Sequence, residues 1–400
     1  VAPVVSELGG ILMGQGHWNR TWLEAGVIAV AATLAGCSVL QAQDLPKVET
    51  RFASGATLRF YGQINKGVLT FDDGQVSETY GLIDNDNSNT RFGLTYTQDF
   101  AGSWSYLGII EIAYAPFSTS TASILQPSPP ASAFEFSTAN IRKIDNRVSS
   151  PDFGGFWFGQ GDMASDNTAE VDLSGTTVIG YSEVADSAGG QLLRRADGVL
   201  SNITIKDAFN NYDGLSRQVR LRYDTPLWSG FGLRMSYGRN LLSDSASVRN
   251  QDLYDIAATY ESKGDDFRFL AQTAYSWKGS DTTIFDGSGS LLHLPTGLSV
   301  TAAAGRQDEA GVQGSYGYIK FGWQGDLVAW GKTAVALDWY SGSGIEAAGS
   351  DSTSYALSVV QNIPRWNTEL WLTWRAYDYS EPEKAFDSAS ALFVGGRFTF

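Results

Sequence analysis

The sequence predicts an all-β protein, a transmembrane antiparallel β-barrel of about sixteen strands, and three observations carry that reading. From residue 56 to the end, the chain is a succession of short segments in which apolar and polar positions alternate, the period of a strand, with no sustained helical period. The connections between segments also alternate. With the first segment running upward, the short turns DFAG, SPDFG, TPLWSG, KGDD, PTG, QGDLVAW and IPRWN all fall on one side and every long connection on the other, as in a membrane barrel. Finally, glycine (44 residues) and aromatic side chains (13 %) are plentiful while proline (11) is scarce, a composition suited to strands and turns. The mean hydropathy of -0.15 does not oppose this, because alternating lipid-facing and water-facing positions cancel in an average.

The elements follow in order. ATLRFYGQINKGV sets Leu58, Phe60 and Ile64 on one face and Arg59, Tyr61, Gln63 and Asn65 on the other. TRFGLTY sets Phe92 and Leu94 against Arg91 and Gly93, and WSYLGIIEIAYA follows the turn after it. Past the polar stretch STSTASILQPSPPAS come ANIRKIDNRV and GFWFGQ, and then the longest irregular segment. LSRQVRLRY, FGLRMSYGR, DLYDIAATYE and FRFLAQTAYSW resume the pattern, with Arg220, Arg222, Arg234 and Arg268 on polar faces. GSGSLLHL, GLSVTAAAG, YGYIKFGW, GKTAVALDWY, SYALSVVQN, TELWLTWRAYDY and ALFVGGRFTF complete the wall. In the last of these, Phe400, Phe398, Val394 and Leu392 share the apolar parity, and Arg397 lies on the other. Trp104, Tyr106, Trp330, Trp339, Tyr340, Trp366, Tyr377 and Tyr379 collect near strand ends, where a bilayer surface favours amphipathic rings.

Residues 1–42 read as an export signal region: Arg20 precedes the apolar run from Ala25 to Leu40, with Met13 as an alternative start. LAGC resembles a lipobox at Cys37, and the competing reading is ordinary cleavage after Ala42. Residues 43–55 lead to the first strand, and 56–400 form the barrel. Cys37 is the only cysteine, so the barrel has no disulfides or cysteine-ligated zinc. The formal charge of -15 argues against nucleic acid as a partner.

RYDTPLWSGF, NSNTRFG, TLRFYG, SLLHLPTGLSV and the terminal RFTF together resemble the general porins of Gram-negative outer membranes. The resemblance implies an integral outer-membrane protein, a homotrimer of sixteen-stranded barrels in contact with lipid, each with its third external loop folded inward as a constriction. It implies a water-filled channel for passive diffusion of small hydrophilic solutes and ions. It also makes Phe400, with Phe398, the address read by the barrel-assembly machinery. The segment 161–214 would be the constriction loop, longer than the family pattern and carrying an extra element such as VLSNITIKD.

A pore needs no catalyst, only a polar lumen and a charged narrowing. Asp162, Asp166, Glu170 and Asp172 cluster in the long loop and are the expected acidic side of the constriction. Arg59, Arg91, Arg142, Arg220 and Arg222 are the expected basic wall, because arginine is costly on a lipid face; Arg194 and Arg195 lie in the loop itself. No cofactor or metal is expected. DNDNSNT lacks the glycine and the glutamate of a calcium loop, and His293 beside the turn LPTG reads as a structural histidine rather than a catalytic one. A substrate-selective channel with a saturable site is the alternative in the same class; an exported adhesin or lectin is the alternative outside it.

Overall fold

The computed structural model describes residues 48–400. The signal region, Cys37 and the cut after Ala42 lie outside the described residues. Sixteen strands form the wall: β1 (Thr57–Asp72), β2 (Arg91–Asp99), β3 (Ser105–Ala113), β4 (Ile141–Ser150), β5 (Gly154–Asp162), β6 (Arg217–Asp224), β7 (Phe231–Arg239) and β8 (Leu253–Lys263). They continue with β9 (Phe267–Lys278), β10 (Thr282–His293), β11 (Leu298–Glu309), β12 (Val312–Val328), β13 (Gly331–Ser343), β14 (Asp351–Ile363), β15 (Thr368–Glu381) and β16 (Ala389–Thr399). Each pairs antiparallel with its chain neighbours, and β16 returns to β1 in the register Ile64↔Phe398 and Val68↔Val394. Closure leaves every wall strand paired on both sides, the condition for a sheet in hydrocarbon. The leader segment adds a short strand, Glu49–Arg51, against the start of β1.

Strand period decides what faces where. In β11, Leu298 and Val300 point outward while Ser299 and Thr301 are buried inward. The same parity exposes Ile64, Phe92, Leu94, Ile110, Phe158, Leu221, Phe321 and Leu337 around the outside. So continuous an apolar surface fits lipid rather than water.

Two expectations change. The long connections do lie on one side, but that side also holds tight hairpins: β9 and β10 are joined by residues 279–281, and β11 and β12 by 310–311. The run TTIFD extends its strand by five residues beyond the expected start at Gly287, because Thr282 to Ile284 continue the ladder to Glu309 to Gln307. Ala310 (φ 52°) and Gly311 (φ 87°) close the next hairpin, both in the left-handed conformation that a two-residue turn requires. The second change concerns the interfacial aromatics. Trp330 and Trp339 are exposed outside, but Tyr340, Tyr377 and Tyr379 are 0 %, 0 % and 4 % exposed. They sit on the inward parity of β13 and β15 and belong to the interior.

On one side of the barrel that interior is a packed core. Val178, Ile179, Val184, Leu193, Ile205 and Phe209, all between β5 and β6 in sequence, pack against Leu69, Phe71, Tyr340, Trp371, Tyr377 and Phe393 of the wall. The long loop therefore fills the side of the barrel formed by β12 to β16 and β1.

Candidate functional site

The loop runs over residues 163–216, two residues later at each end than the expected 161–214, because β5 keeps pairing to Asp162 and β6 starts at Arg217. Small inward side chains leave room for it and hold it. Ser288 Oγ donates to Thr168 O (2.7 Å) and accepts from Val171 N (2.8 Å), and Leu173 N donates to Ser290 Oγ (2.9 Å). Lys320 Nζ donates to Asp172 Oδ2 (2.6 Å) and Gly180 O (2.7 Å). Tyr377 and Tyr340 hydroxyls donate to Val184 O (2.9 Å) and Asn210 O (2.8 Å). These bonds satisfy loop backbone that the barrel would otherwise bury unpaired.

The extra element is real. Leu192–Arg194 and Leu200–Thr204 form a two-stranded sheet, followed by a helical turn, Ile205–Ala208, that Thr204 and Asp207 cap reciprocally. Arg194 donates from Nε (2.9 Å) and Nη2 (2.7 Å) to Asp73 Oδ2, while Ala196 N reaches Ala385 O (3.0 Å). The element is thus sewn to the connections after β1 and after β15.

What the loop leaves open is a cavity of about 910 Å³. Five loop carboxylates line it: Asp166, Glu170, Glu183, Asp186 and Asp213, with Asp86 beside them. Burial pushes Asp166 up to about 8, helped by Asp162, and Glu183 to about 8, helped by Asp186. Asp186 and Asp213 rise to about 7, again through burial first and then through Asp86 and Asp286 respectively. Glu170 is raised too, by burial and by Asp213. Of the five, only Asp166 has a cation within ion-pair distance among the described residues, Arg217 at 3.7 Å. The wall supplies the opposite sign. Arg91 and Arg142 share Glu111 at 3.8 and 2.7 Å, and Arg397 Nε donates to Glu369 Oε2 (2.6 Å). All three arginines line the cavity.

The expected site residues therefore divide. Asp166, Glu170, Arg91 and Arg142 meet at the cavity. Asp162 ends β5 and pairs with Lys143 at 2.5 Å. Asp172 leaves the channel wall altogether, since its ion pair with Lys320 is shut off from solvent. Arg220 is likewise withdrawn, buried in a bidentate pair with Asp145 (2.7 and 2.7 Å), and Arg222 pairs with Asp224. Arg59 is exposed at the short-turn end of β1, far along the strand from the cavity residues. Arg268 pairs with Glu261 near the short-turn end of β9. His293 bonds Thr296 Oγ1 at 2.7 Å within its turn. In DNDNSNT the carboxylates diverge: Asp84 turns to Lys66 (3.1 Å), and Asp86 accepts from Ser118 Oγ (2.8 Å) and Ser120 N (2.7 Å).

Sequence reasoning missed Glu183, Asp186, Asp213, Asp86, Arg217 and Arg397 as lining residues. Arg397 carried a signal, its polar parity in the last strand. Arg217 opens β6 on the parity of Val219 and Leu221, which points away from the lumen, so parity gave the opposite signal. The other four lie in irregular segments, where no period tells inside from outside.

The sequence pattern of Gram-negative porins matches residues 28–380. No curated protein matches the chain. Among solved structures, the anion-selective porin of Comamonas acidovorans is 15 % identical, with a TM-score of 0.58 over 86 % of this chain and 100 % of that one. Outer-membrane expressed OmpT of Vibrio cholerae is 14 % identical, with a TM-score of 0.55 over 88 % of this chain and 100 % of its own. OmpF of Salmonella typhi, in complex with daunomycin, is 12 % identical, with a TM-score of 0.55 over 88 % and 100 %. At these identities the structures speak for the fold alone. The match of sequence pattern over most of the chain, joined to a closed wall with a cavity lined by charged side chains inside it, means that this chain belongs to the Gram-negative porin family, the outer-membrane channels for small solutes.

Proposed function

We propose that the protein is a narrow diffusion porin that favours cations, working as a homotrimer. The supporting observation is the loop face of the cavity, where Glu170, Glu183, Asp186 and Asp213 stand without cationic partners while the wall arginines are each engaged by a carboxylate. Once pH exceeds the raised values of about 7 to 8 and these carboxylates are ionised, their negative charge in a low-dielectric passage concentrates cations. The trimer rests on two supports. Vibrio cholerae OmpT has been solved in a trimer form, and β2 to β7, each eight to ten residues long, make a low side of the wall beneath a connection that exposes Leu125, Phe134 and Phe136. Assembly would use Phe400 as its address, and no enzymatic role is assigned. A saturable, substrate-selective channel is the second reading, favoured by how much of the lumen the loop occupies.

The test is the zero-current potential across a salt gradient at pH 9, above the raised values of Glu183, Asp186 and Asp213. Changing Glu170, Glu183, Asp186 and Asp213 together to Gln or Asn should move it toward anions, and Arg91→Gln with Arg142→Gln should move it toward cations. Both shifts should fade near about 1 M salt, where the screening length is about 3 Å. An unchanged potential at low salt in the four-residue variant would overturn the cation reading.

A further inference from the structure

On the short-turn side of the loop root, the lumen carries a second charged surface, of opposite sign. Register places Arg147, Trp157 and Arg222 in one row across β4, β5 and β6, all on the inward parity. The next row toward the turns sets Asp224 opposite Arg234 of β7. Trp157 is hemmed by guanidinium groups: Arg147 Cζ lies 5.1 Å from its ring centre, Arg220 5.8 Å and Arg222 5.9 Å.

The carboxylates here are already committed. Asp145 takes Arg220 in both oxygens, and Asp224 accepts from Arg222 Nε (2.7 Å), Arg222 Nη2 (3.2 Å) and Trp157 Nε1 (2.9 Å). Arg222 also donates to Met163 O (2.9 Å), which ties this surface to the start of the constriction loop. Two guanidinium groups are left over. Among the described residues neither Arg147 nor Arg234 has an ion-pair partner, and each keeps a buried Nε with no acceptor; Arg234 gives only Nη2, to Gln272 Oε1. The backbone accommodates the arrangement: a Cβ on inward-facing Gly155 would fall 2.8 Å from Arg147 Nε, so only glycine lets that side chain lie down beside Trp157. The buried Nε atoms are closed to a solute, but Arg147 Nη1 and Nη2 and Arg234 Nη1 are open and bonded to nothing among the described residues, and an open guanidinium edge is matched by an oxyanion.

We infer that Arg147 and Arg234, arranged around Trp157 and the saturated Asp224, form a binding subsite for small oxyanions on the short-turn side of the constriction. The ligand chemistry is a carboxylate or phosphate oxygen pair accepting from a guanidinium edge. Arg220 and Arg222, balanced by Asp145 and Asp224, offer no free donors, so the unpaired charge here is that of Arg147 and Arg234. The channel then meets a permeating solute with carboxylates at the loop and with open guanidinium groups beyond it. This inference concerns residues other than those of the proposed cation preference and stands if that preference fails.

The experiment is single-channel conductance of the full chain in a planar bilayer in potassium chloride, with sodium succinate or sodium phosphate titrated from each side in turn. The expected result is a saturable reduction of conductance by at least one of the two, stronger from one side. The double variant Arg147→Gln with Arg234→Gln should raise the half-blocking concentration at least about tenfold, as loss of charge-assisted bonds predicts. Arg306→Gln, the same charge change on the outward parity of β11, should leave it alone. Arg147→Lys keeps the charge and loses the fork, so it should weaken block while preserving ion preference. Which anion blocks identifies the source of the oxyanion. Absence of block by both anions in the wild type, or equal block in the double variant with a normally conducting barrel, overturns the inference.

Discussion

Lys320 Nζ lies 2.6 Å from Asp172 Oδ2, and both side chains are closed to solvent, so a buried ion pair fastens the long loop, residues 163–216, to β12. Lys320→Met leaves Asp172 buried and alone, a change of about 3–5 kcal/mol against the docked loop. The expected outcome is a noisier channel with a larger size limit, read by single-channel recording and by uptake of graded neutral solutes. A variant with wild-type noise and size limit would show that the loop does not depend on this pair.

The loop also touches the wall where no side chain stands. A Cβ on Gly322 would lie 2.5 Å from Ser299 Oγ and 2.7 Å from Ser174 Cβ. Gly322→Ala should therefore push residues near Ser174 inward, at about 1–3 kcal/mol of overpacking. Reduced conductance with an intact barrel is expected, and unchanged conductance would mean that the loop yields freely there.

Ion preference should depend on pH. Asp166 and Glu183, raised to about 8, and Asp186 and Asp213, raised to about 7, gain charge as pH climbs through that window. Cation preference should thus grow from pH 6 to pH 9, seen as a rising zero-current potential. The stability of the docked loop runs the other way. Groups that bind protons more tightly when docked contribute fully at low pH and lose that contribution as pH passes 7 to 8. Protease cleavage within residues 163–216 should accordingly quicken at pH 9. A flat potential across this range would remove these carboxylates from the conducting path.

Phe400 extends the closing ladder: its N–H donates to Gly62 O (3.0 Å), its carbonyl accepts from Gly62 N (3.1 Å), and its ring lies 5.5 Å from Phe60. Deleting it, or placing a charge there at a cost of up to about 1 kcal/mol near the interface, should lower outer-membrane yield. Conductance of the channels that do assemble should stay the same. Wild-type yield would count against an assembly role.

The wall was legible from sequence because a strand in a membrane barrel must alternate. Leu221 and Arg220 could be sent outward and inward by parity alone, and both the lipid face and the sixteen-strand count followed from repeating that step. Local chemistry also marked the short turns.

Tertiary structure decided everything that one strand's parity leaves open. Tyr340 and Tyr377 are on the inward parity, yet whether an inward tyrosine meets water or a loop depends on residues more than a hundred positions away, here Asn210 and Val184. Asp172 and Glu170 are two residues apart in an irregular segment. One is sealed against Lys320 and the other faces the cavity, because only the folded loop determines which carboxylate finds a lysine. The period of the backbone fixes sides, and long-range pairing fixes charge. The barrel is therefore determined locally by the sequence, while the charge pattern of its channel exists only once the loop has docked.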